Sequence, residues 1–494
     1  MSINQKVLKN IYYFDVDSNT LIGPTNIHVD NKGLIASLDF NIDSVTSKKD
    51  DIKEIDFYGN TAILPGYINS HYHSSTYFNK GSINNLPLEL FMLYESPFDY
   101  HRDSPEEIYV RTQCAAIEMI KNGITSVHDD VFLLPKPNHE NIDAVFMGYQ
   151  SAGMRATIAL DHSDLPETRK IPYLSDFASK EIIKYIDKVP CNSDCIIELN
   201  NYMFNKWYGN KDGRLSCSTS ISAPQRVTKD HFNAMNEISK IYQCPINMHV
   251  LETYTQKKLI EIDTKYKNQS LIQHLDNIGM LSKRANLIHC VWLDDNDIQI
   301  ISESNSNIIH NPISNLRLGS GIAPYKKFID AGIHVSLGTD ESVCDDSTNL
   351  LNVVKMAGLI HNISEKNYNR WPRIVDLISS LWYSGAITMG LESIIGKIKV
   401  GFKADFVGVD MRSLSFLPMN NFISQLIYCS NQSDINFIMI DGNIIIEQGT
   451  LINIDEDELK YQARSVCKKL RRYDLPENIL EAYTNSVNKS LNIS

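Results

Sequence analysis

Between residues 62 and 338, short apolar strand patterns alternate with helical segments. This alternation predicts a parallel α/β fold, because parallel strands need a crossover segment, usually a helix, between them. Eight strands is the number that closes a barrel. The candidate strands are residues 62–73, 124–130, 154–161, 215–222, 245–250, 286–290, 307–310 and 333–338. We therefore expect an α/β protein built around a (β/α)8 TIM-like barrel, which would span residues 62–398.

The two ends of the chain have strand patterns of a different kind. Residues 1–61 read as short strands joined by turns, and residues 399–455 contain a hairpin pattern around an Asp-Gly turn. These segments predict one small β domain assembled from both termini. Residues 456–494 are charged and helical in pattern, so we expect a C-terminal helical extension there.

Charge and composition exclude several classes of protein. The net charge of −12 argues against a nucleic-acid partner, since phosphate binding needs a concentrated basic face. No segment approaches the roughly 20 apolar residues of a membrane span, and the first residues lack the apolar core of a signal peptide. We expect a cytoplasmic protein without a membrane partner. The nine cysteines have no disulfide-like spacing, which predicts reduced thiols.

The first candidate strand ends in two histidines, His71 and His73. Side chains alternate faces along a strand, so these two point to the same side. If that side faces a barrel lumen, two imidazoles converge on one ion near the end of the strand. Neutral imidazole is the commonest protein ligand for borderline transition metals. The pair therefore indicates a candidate metal site.

Other strand ends carry residues of the same chemical kind. His249 ends the fifth candidate strand, His289 ends the sixth, and Asp340 follows the eighth. In an α/β barrel, catalytic groups lie at the carboxyl ends of the strands. Four strand ends therefore supply histidine or aspartate side chains to one face of the predicted barrel.

Long sequence motifs link these residues to a known group of enzymes. The run His310–Gly321 (HNPISNLRLGSG), followed by Gly338-Thr339-Asp340 and preceded by His71-Tyr72-His73, resembles the amidohydrolase superfamily. Within it, the chain is most similar to the metal-dependent deaminase and triazine-hydrolase (chlorohydrolase-like) branch. The resemblance runs from the first strands to about residue 455. It implies a barrel with a small β-sandwich domain, and a homodimer or higher homo-oligomer.

The ligand set that we predict is His71, His73, His249 and Asp340. Three nitrogens and one oxygen suit Zn²⁺, and a ferrous ion also fits. Such a metal lowers the pKa of a bound water towards ~7, which makes a nucleophile available at neutral pH. Asp340 can also accept a proton from that water. No lysine ends the fourth strand to bridge two ions, so we expect one divalent metal per chain.

The resemblance also implies catalytic roles for two further residues. Glu252 matches a glutamate that carries protons to a ring nitrogen and to the leaving group in deaminases of this family. The alternative for Glu252 is a solvent-exposed loop acid. His289 resembles a histidine that orients the nucleophile, and in some relatives it approaches the metal. His310 and Asn315 are expected to support the site structurally.

Two residues are candidates for substrate contact. Gln225, after the fourth strand, can both donate and accept hydrogen bonds to an amide-like edge of a heterocycle. Glu341, directly after Asp340, would favour a cationic or NH-rich group. Alternatively, Glu341 caps the helix that follows.

Together these residues predict a metal-dependent aminohydrolase, a hydrolytic deaminase acting on a C–N bond of a nitrogen heterocycle or related NH-rich small molecule. The same site would also serve hydrolytic dechlorination or cyclic-amide hydrolysis. A non-catalytic binding protein that retains the fold is the alternative from another class.

Overall fold

A computed structural model describes residues 5–39, 52–98, 100, 102–210, 213–267, 269–345, 347–469 and 474–493. Its strands are β1 Gln5–Asp15, β2 Thr20–Val29, β3 Ile35–Asp39, β4 Ile52–Asp56, β5 Thr61–Pro65, β6 Tyr67–His73, β7 Ile124–Val131, β8 Arg155–Leu160, β9 Leu215–Cys217, β10 Thr219–Ser220, β11 Ile246–Val250, β12 Ala285–His289, β13 Asn307–His310, β14 Val335–Leu337, β15 Asp340–Glu341, β16 Phe406–Asp410, β17 Ile435–Ile440, β18 Asn443–Glu447 and β19 Thr450–Leu451.

The α-helices lie mainly between the strands of the middle region and at the C-terminal end. They are α1 Leu88–Glu95, α2 Pro105–Lys121, α3 His139–Ala152, α4 Glu167–Lys170, α5 Leu174–Phe177, α6 Lys180–Ile186, α7 Ser193–Trp207, α8 Lys229–Tyr242, α9 Tyr254–Ile262, α10 Leu271–Asn277, α11 Asp295–Glu303, α12 Pro312–Arg317, α13 Tyr325–Asp330, α14 Ser342–Asp345, α15 Leu350–Leu359, α16 His361–Ser364, α17 Ile374–Ile378, α18 Ser384–Thr388, α19 Phe422–Tyr428, α20 Glu456–Cys467 and α21 Glu477–Leu491. None of the helices in these described ranges is long and apolar enough to cross a membrane.

The middle of the chain forms two parallel five-stranded sheets, in the orders β15-β6-β7-β8-β9 and β10-β11-β12-β13-β14. The predicted parallel α/β architecture is thereby confirmed. The fourth predicted strand is divided between the two sheets as β9 and β10, and the eighth as β14 and β15. The chain therefore passes directly from one sheet to the other at two places, between β9 and β10 and between β14 and β15.

The prediction of one continuous strand over residues 62–73 is wrong, because the chain changes sheets at Gly66. β5 pairs with β1 and β16, whereas β6 pairs with β7 and β15. A Cβ at Gly66 would lie 1.9 Å from the Thr125 hydroxyl oxygen, so only glycine fits at this crossing. Both strands are buried, which explains why the sequence shows one uninterrupted apolar run.

The strands from the two chain ends share one nine-stranded sheet, in the order β19-β18-β17-β16-β5-β1-β2-β3, with β4 paired to β1. An apolar cluster on this sheet includes Ile27, Ile63, Phe406 and Phe437. The buried guanidinium of Arg155 in β8 links this sheet to the parallel one. Its Nε donates to Asp405 Oδ2 at 2.7 Å, and its Nη2 donates to Asp405 Oδ1 at 3.1 Å.

Helix α21 docks against the segment that follows β8. The Tyr483 hydroxyl donates to Glu167 Oε2 at 3.0 Å, and Lys489 Nζ donates to Asp176 Oδ2 at 2.8 Å. Apolar residues of α21 pack in one cluster with residues of α1, α5 and α6. The end of the chain is thus part of the folded body.

The expectation of nine reduced thiols is wrong for one pair. Cys191 and Cys195 are joined by a disulfide, with their Cα atoms 5.6 Å apart. Asn192, between them, caps α7 through its side chain, and this turn brings the two cysteines together. The other seven cysteines are free.

Candidate active site

A cavity of about 310 Å³ opens at the carboxyl ends of the parallel strands. Its volume falls in the range of roughly 300–1,000 Å³ typical of small-molecule pockets. The strand ends contribute a set of ionisable side chains to its wall: His73, Asp161, His249, Glu252, His289, Asp340 and Glu341.

The imidazoles and one carboxylate form a tight cluster beneath this cavity. His71 Nε2 lies 3.2 Å from His249 Nε2 and 3.2 Å from Asp340 Oδ1. His73 Nε2 lies 3.5 Å from the same Asp340 oxygen. Ligand atoms about 2.0–2.1 Å from a tetrahedral ion are about 3.3–3.5 Å apart, so these spacings match a site for a single ion.

The outer nitrogen of each imidazole has an acceptor that fixes its ring. His73 Nδ1 donates to the Asp130 carbonyl at 2.5 Å, and His249 Nδ1 donates to the Ser222 carbonyl at 2.8 Å. His71 Nδ1 lies 3.3 Å from Asp130 Oδ2. With protons held on Nδ1, the Nε2 lone pairs of His73 and His249 are directed to the cluster, where His71 Nε2 also lies. Outer partners of this kind are typical of metal-ligating histidines.

Unusual backbone conformations aim these side chains. Ser222, Leu251, His289 and Asp340 have positive φ angles of 56°, 45°, 72° and 63°. Left-handed conformations of this kind cost of order 1–3 kcal/mol in residues other than glycine. Each of the four residues lies at or within three residues of the carboxyl end of a strand of the parallel sheets. Part of the backbone strain is therefore located where the chain bends into the cavity.

The electrostatics of the cluster favour a cation at its centre. Burial alone would lower the pKa of His71, but the carboxylates of Asp130 and Asp340 raise it to about 10. Burial lowers the pKa of His249 to about 4, so this ring is neutral. The positive charge of the His71 imidazolium is therefore stabilised by the two carboxylates beside it. The donor set and its charge both fit a divalent transition metal.

Glu252 and His289 lie beside this cluster. Burial, and next the charge of Asp340, raise the pKa of Glu252 well above its usual range. Its Oε2 lies 3.6 Å from His289 Nε2, which is 3.7 Å from Asp340 Oδ2. Glu252 is only 3% exposed, which excludes the alternative of a solvent-exposed loop acid. A carboxyl group that keeps its proton near neutral pH can act as a general acid.

Asn315 and His310 lie behind this part of the site. His289 Nδ1 donates to Asn315 Oδ1 at 2.8 Å, so the His289 Nε2 lone pair is directed to the cavity. Burial lowers the pKa of His289 to about 3, which keeps the ring neutral. His310 Nε2 lies 3.3 Å from His361 Nε2, away from the cluster.

The two predicted substrate contacts differ in position. Glu341 lines the cavity and accepts a hydrogen bond from the Cys344 thiol at 3.5 Å. Its carboxyl group interacts with that of Glu95, and burial raises the pKa of Glu95 to about 7. Gln225 is buried but does not line the cavity, whereas the neighbouring Ser222 and Arg226 do.

Sequence reasoning missed Glu95 and Asp161 as wall residues. Glu95 lies at the end of α1, and Asp161 follows β8; neither belongs to a recognisable motif. Asp130, at the end of the second candidate strand, had a visible signal in the run His128-Asp129-Asp130. Its Oδ1 accepts a hydrogen bond from Asn247 Nδ2 at 2.9 Å, so the Asn247 side chain holds the Asp130 carboxylate in position.

The sequence is similar to that of a known protein family. The sequence model of the amidohydrolase family matches residues 62–445. A "5-methylthioadenosine/S-adenosylhomocysteine deaminase" of Syntrophomonas wolfei is 27% identical over 415 residues, which cover 83% of this chain and 87% of that protein.

Solved structures show the same fold. A zinc-bound adenosine deaminase of Xanthomonas campestris is 21% identical with a TM-score of 0.79, over 94% of this chain and 98% of that one. A zinc complex of an atrazine chlorohydrolase of Arthrobacter aurescens is 17% identical with a TM-score of 0.81, over 94% and 100% of the two chains.

Proposed function

Because this chain belongs to the amidohydrolase family, we propose that it is a hydrolytic deaminase of a nitrogen heterocycle or a related NH-rich small molecule. Curated relatives named as deaminases support a hydrolase of carbon–nitrogen bonds other than peptide bonds. The observation that carries the proposal is the convergence of four histidines, Asp340 and Glu252 at the floor of one cavity.

His71, His73, His249 and Asp340 would hold one divalent transition metal. Zn²⁺ suits three imidazole nitrogens and one carboxylate oxygen, and Fe²⁺ accepts the same donors. When bound, the metal supplies Lewis acidity that lowers the pKa of a water molecule towards ~7. The zinc in two structurally similar proteins supports this choice of metal.

The residues around the metal would move the protons of the reaction. Deamination replaces an amino group with oxygen from water and releases ammonia. Glu252, whose pKa burial raises well above its usual range, donates a proton to the ring nitrogen of the substrate. Asp340 accepts a proton from the attacking water and passes it to the departing amino group, which leaves as ammonia. The proton of the new hydroxyl group then returns to Glu252. The neutral His289 offers its Nε2 lone pair to the same water and so orients it.

Glu341 and Glu95 would select the substrate. Both carboxyl groups line the cavity close to the reacting centre. Carboxylates in a cavity wall bind NH donors or cationic groups through charge-assisted hydrogen bonds. An NH-rich ring is therefore the proposed substrate class, and we do not assign Gln225 a contact with it.

The proposed scaffold is a closed barrel of eight strands over residues 62–398. The two parallel sheets join through β9–β10 and β14–β15, whose members are consecutive in the chain. The nine-stranded sheet, which includes β5 and therefore extends to Pro65, would form the β-sandwich domain that we expect from residues 1–61 and 399–455. Barrel closure brings all the strand ends that carry site residues to one face.

An ammonia-release screen tests this function. Zinc-loaded protein is incubated with purines, pyrimidines, triazines and guanidino compounds, and ammonia is measured against a Glu252→Gln variant as control. We expect ammonia from at least one heterocycle, and none above background from the variant. Two results would contradict the proposed deaminase activity. One is the release of chloride instead of ammonia from halogenated triazines, and the other is the absence of ammonia and chloride with every compound.

A further inference from the structure

The cavity above the site has two walls of different chemistry. One wall, the acidic wall, consists of Glu89, Glu95, Asp161 and Glu341, and the guanidinium of Arg226 acts on its carboxyl groups. The other, the apolar wall, consists of Leu93, Phe98, Ile171, Tyr185, Ile186 and Tyr483. A cavity for a small polar ring alone needs no second wall of this kind.

The carboxyl groups of the acidic wall are buried and only partly hydrogen-bonded. Glu89 and Glu95 are 3% and 4% exposed. Glu89 Oε2 and Glu95 Oε1 have no hydrogen-bond donor among the described residues. A buried polar atom left without a partner is costly, typically about 1–3 kcal/mol. The cavity meets the accessible edges of the same carboxyl groups, and carboxyl oxygens accept hydrogen bonds from NH groups.

The apolar wall is completed by the C-terminal helix. Leu93, Ile171 and Ile186 belong to one apolar cluster with Ile479, Ala482, Tyr483 and Val487 of α21. Helix α21 lies beyond residue 445, where the match to the family model ends. The apolar side of the cavity is therefore built partly from a segment outside the matched region.

The lysines close to the apolar wall are already engaged, one in an ion pair and one with an aromatic ring. Lys170 forms an ion pair with Glu167, whose Oε2 also accepts the Tyr483 hydroxyl proton at 3.0 Å. Lys188 lies over the Tyr185 ring, with Nζ 5.1 Å from the ring centroid. A neutral apolar group suits this wall, in contrast to the acidic wall, where oxygens lack donors.

We propose that the substrate has two parts: an NH-rich reacting head at the acidic wall, and a ring-sized apolar substituent at the apolar wall. Helix α21 is then a substrate-binding element, and Tyr483 contributes to specificity. This inference deepens the proposed deaminase function and rests on it for the position of the reacting head. Beyond that function, the inference requires that the substrate carry an apolar substituent in addition to the reacting head.

Paired probes test the inference by binding and by turnover. Calorimetry on the zinc-loaded full-length protein compares 9-benzyladenine with 9-methyladenine, and benzylguanidine with methylguanidine. For at least one head, we expect the benzyl compound to bind roughly 10- to 100-fold more tightly, because its phenyl ring is buried. Equal or undetectable binding of both members in both pairs would overturn the inference.

Variants of residues in the apolar wall test whether this wall causes the tighter binding of the benzyl compound. Tyr483→Ala should reduce the benzyl preference by at least about fivefold, whereas Tyr483→Phe, which keeps the ring, should retain it. Tyr461→Ala removes an exposed tyrosine of α20 and serves as the matched control. Tyr185→Ala, at a partly buried position, gives the same test if Tyr483→Ala does not fold. A preference that survives both alanine variants would refute the assignment.

Ammonia measurements with the same probes separate the two proposals. A benzyl preference in binding without ammonia from any compound of the screen would refute the deaminase and leave the two-walled cavity standing. Ammonia release without a benzyl preference would refute the two-part substrate alone.

Discussion

Replacement of Glu252 by glutamine tests the proposed division between metal binding and proton transfer. The two side chains have nearly the same size, so the buried site should keep its packing. Glutamine cannot donate and regain a proton during the reaction, and this step is typically worth about 10²–10⁴ in rate, or about 2.7–5.4 kcal/mol. We expect kcat to fall by that factor while metal content is unchanged.

The position of Glu252 supports this expectation. Its carboxylate approaches His289 Nε2 at 3.6 Å, but it is outside the set of ligand atoms around His71. The assay combines steady-state ammonia release with metal analysis of the same sample. Glu261→Gln, at an exposed position in α9, is the matched control and should behave as the unmodified protein. An unchanged kcat in Glu252→Gln, or loss of the metal, would refute the assigned role.

Three further predictions concern binding and stability. Glu341→Gln should lower kcat/KM roughly 10- to 150-fold, mainly through KM, with metal content intact, because a charge-assisted hydrogen bond to the substrate is lost; an unchanged KM would contradict the contact. Arg155→Met leaves Asp405 buried without its partner, so the free energy of unfolding measured in urea should fall by about 3–5 kcal/mol. Hydrogen bonds from Lys206, Trp207 and Tyr202 outweigh burial and lower the pKa of Asp143. Its ionised form therefore stabilises the fold above its usual pKa of 3.8, and this contribution is lost as pH falls through the lowered value. The Tm difference between Asp143→Asn and the unmodified protein should accordingly shrink in acid, and a constant difference would contradict this.

The fold and the cluster of strand-end residues could be predicted because each depends on local patterns. Apolar runs of strand length and the helix-capping residues Ser104 and Glu107 are visible in the sequence, and the capping box is present at the start of α2. Histidines at strand ends can be placed once the strands are known. The prediction at residues 62–73 failed because both flanking strands are buried, and periodicity cannot show a change of sheet.

The cavity walls depend on contacts between distant segments, which no local pattern reveals. Tyr483 reaches the cavity only because α21 packs on α5 and α1, more than 300 residues away in sequence. Glu95 lies at the end of a short helix that is buried over most of its length. Gln225 was a plausible contact by chemistry, but the turn after β10 directs Ser222 and Arg226 to the cavity instead.

The most direct test of the central claim is the metal content of purified variants, measured by inductively coupled plasma mass spectrometry. We predict about one divalent transition-metal ion per chain in the unmodified protein, by the coordination argument for a single site. The double variant His71→Ala, His73→Ala should lose the metal and the ammonia-releasing activity together. The variant His139→Ala, at an exposed histidine of α3, should retain both. Full metal occupancy in the double variant would contradict the proposed site.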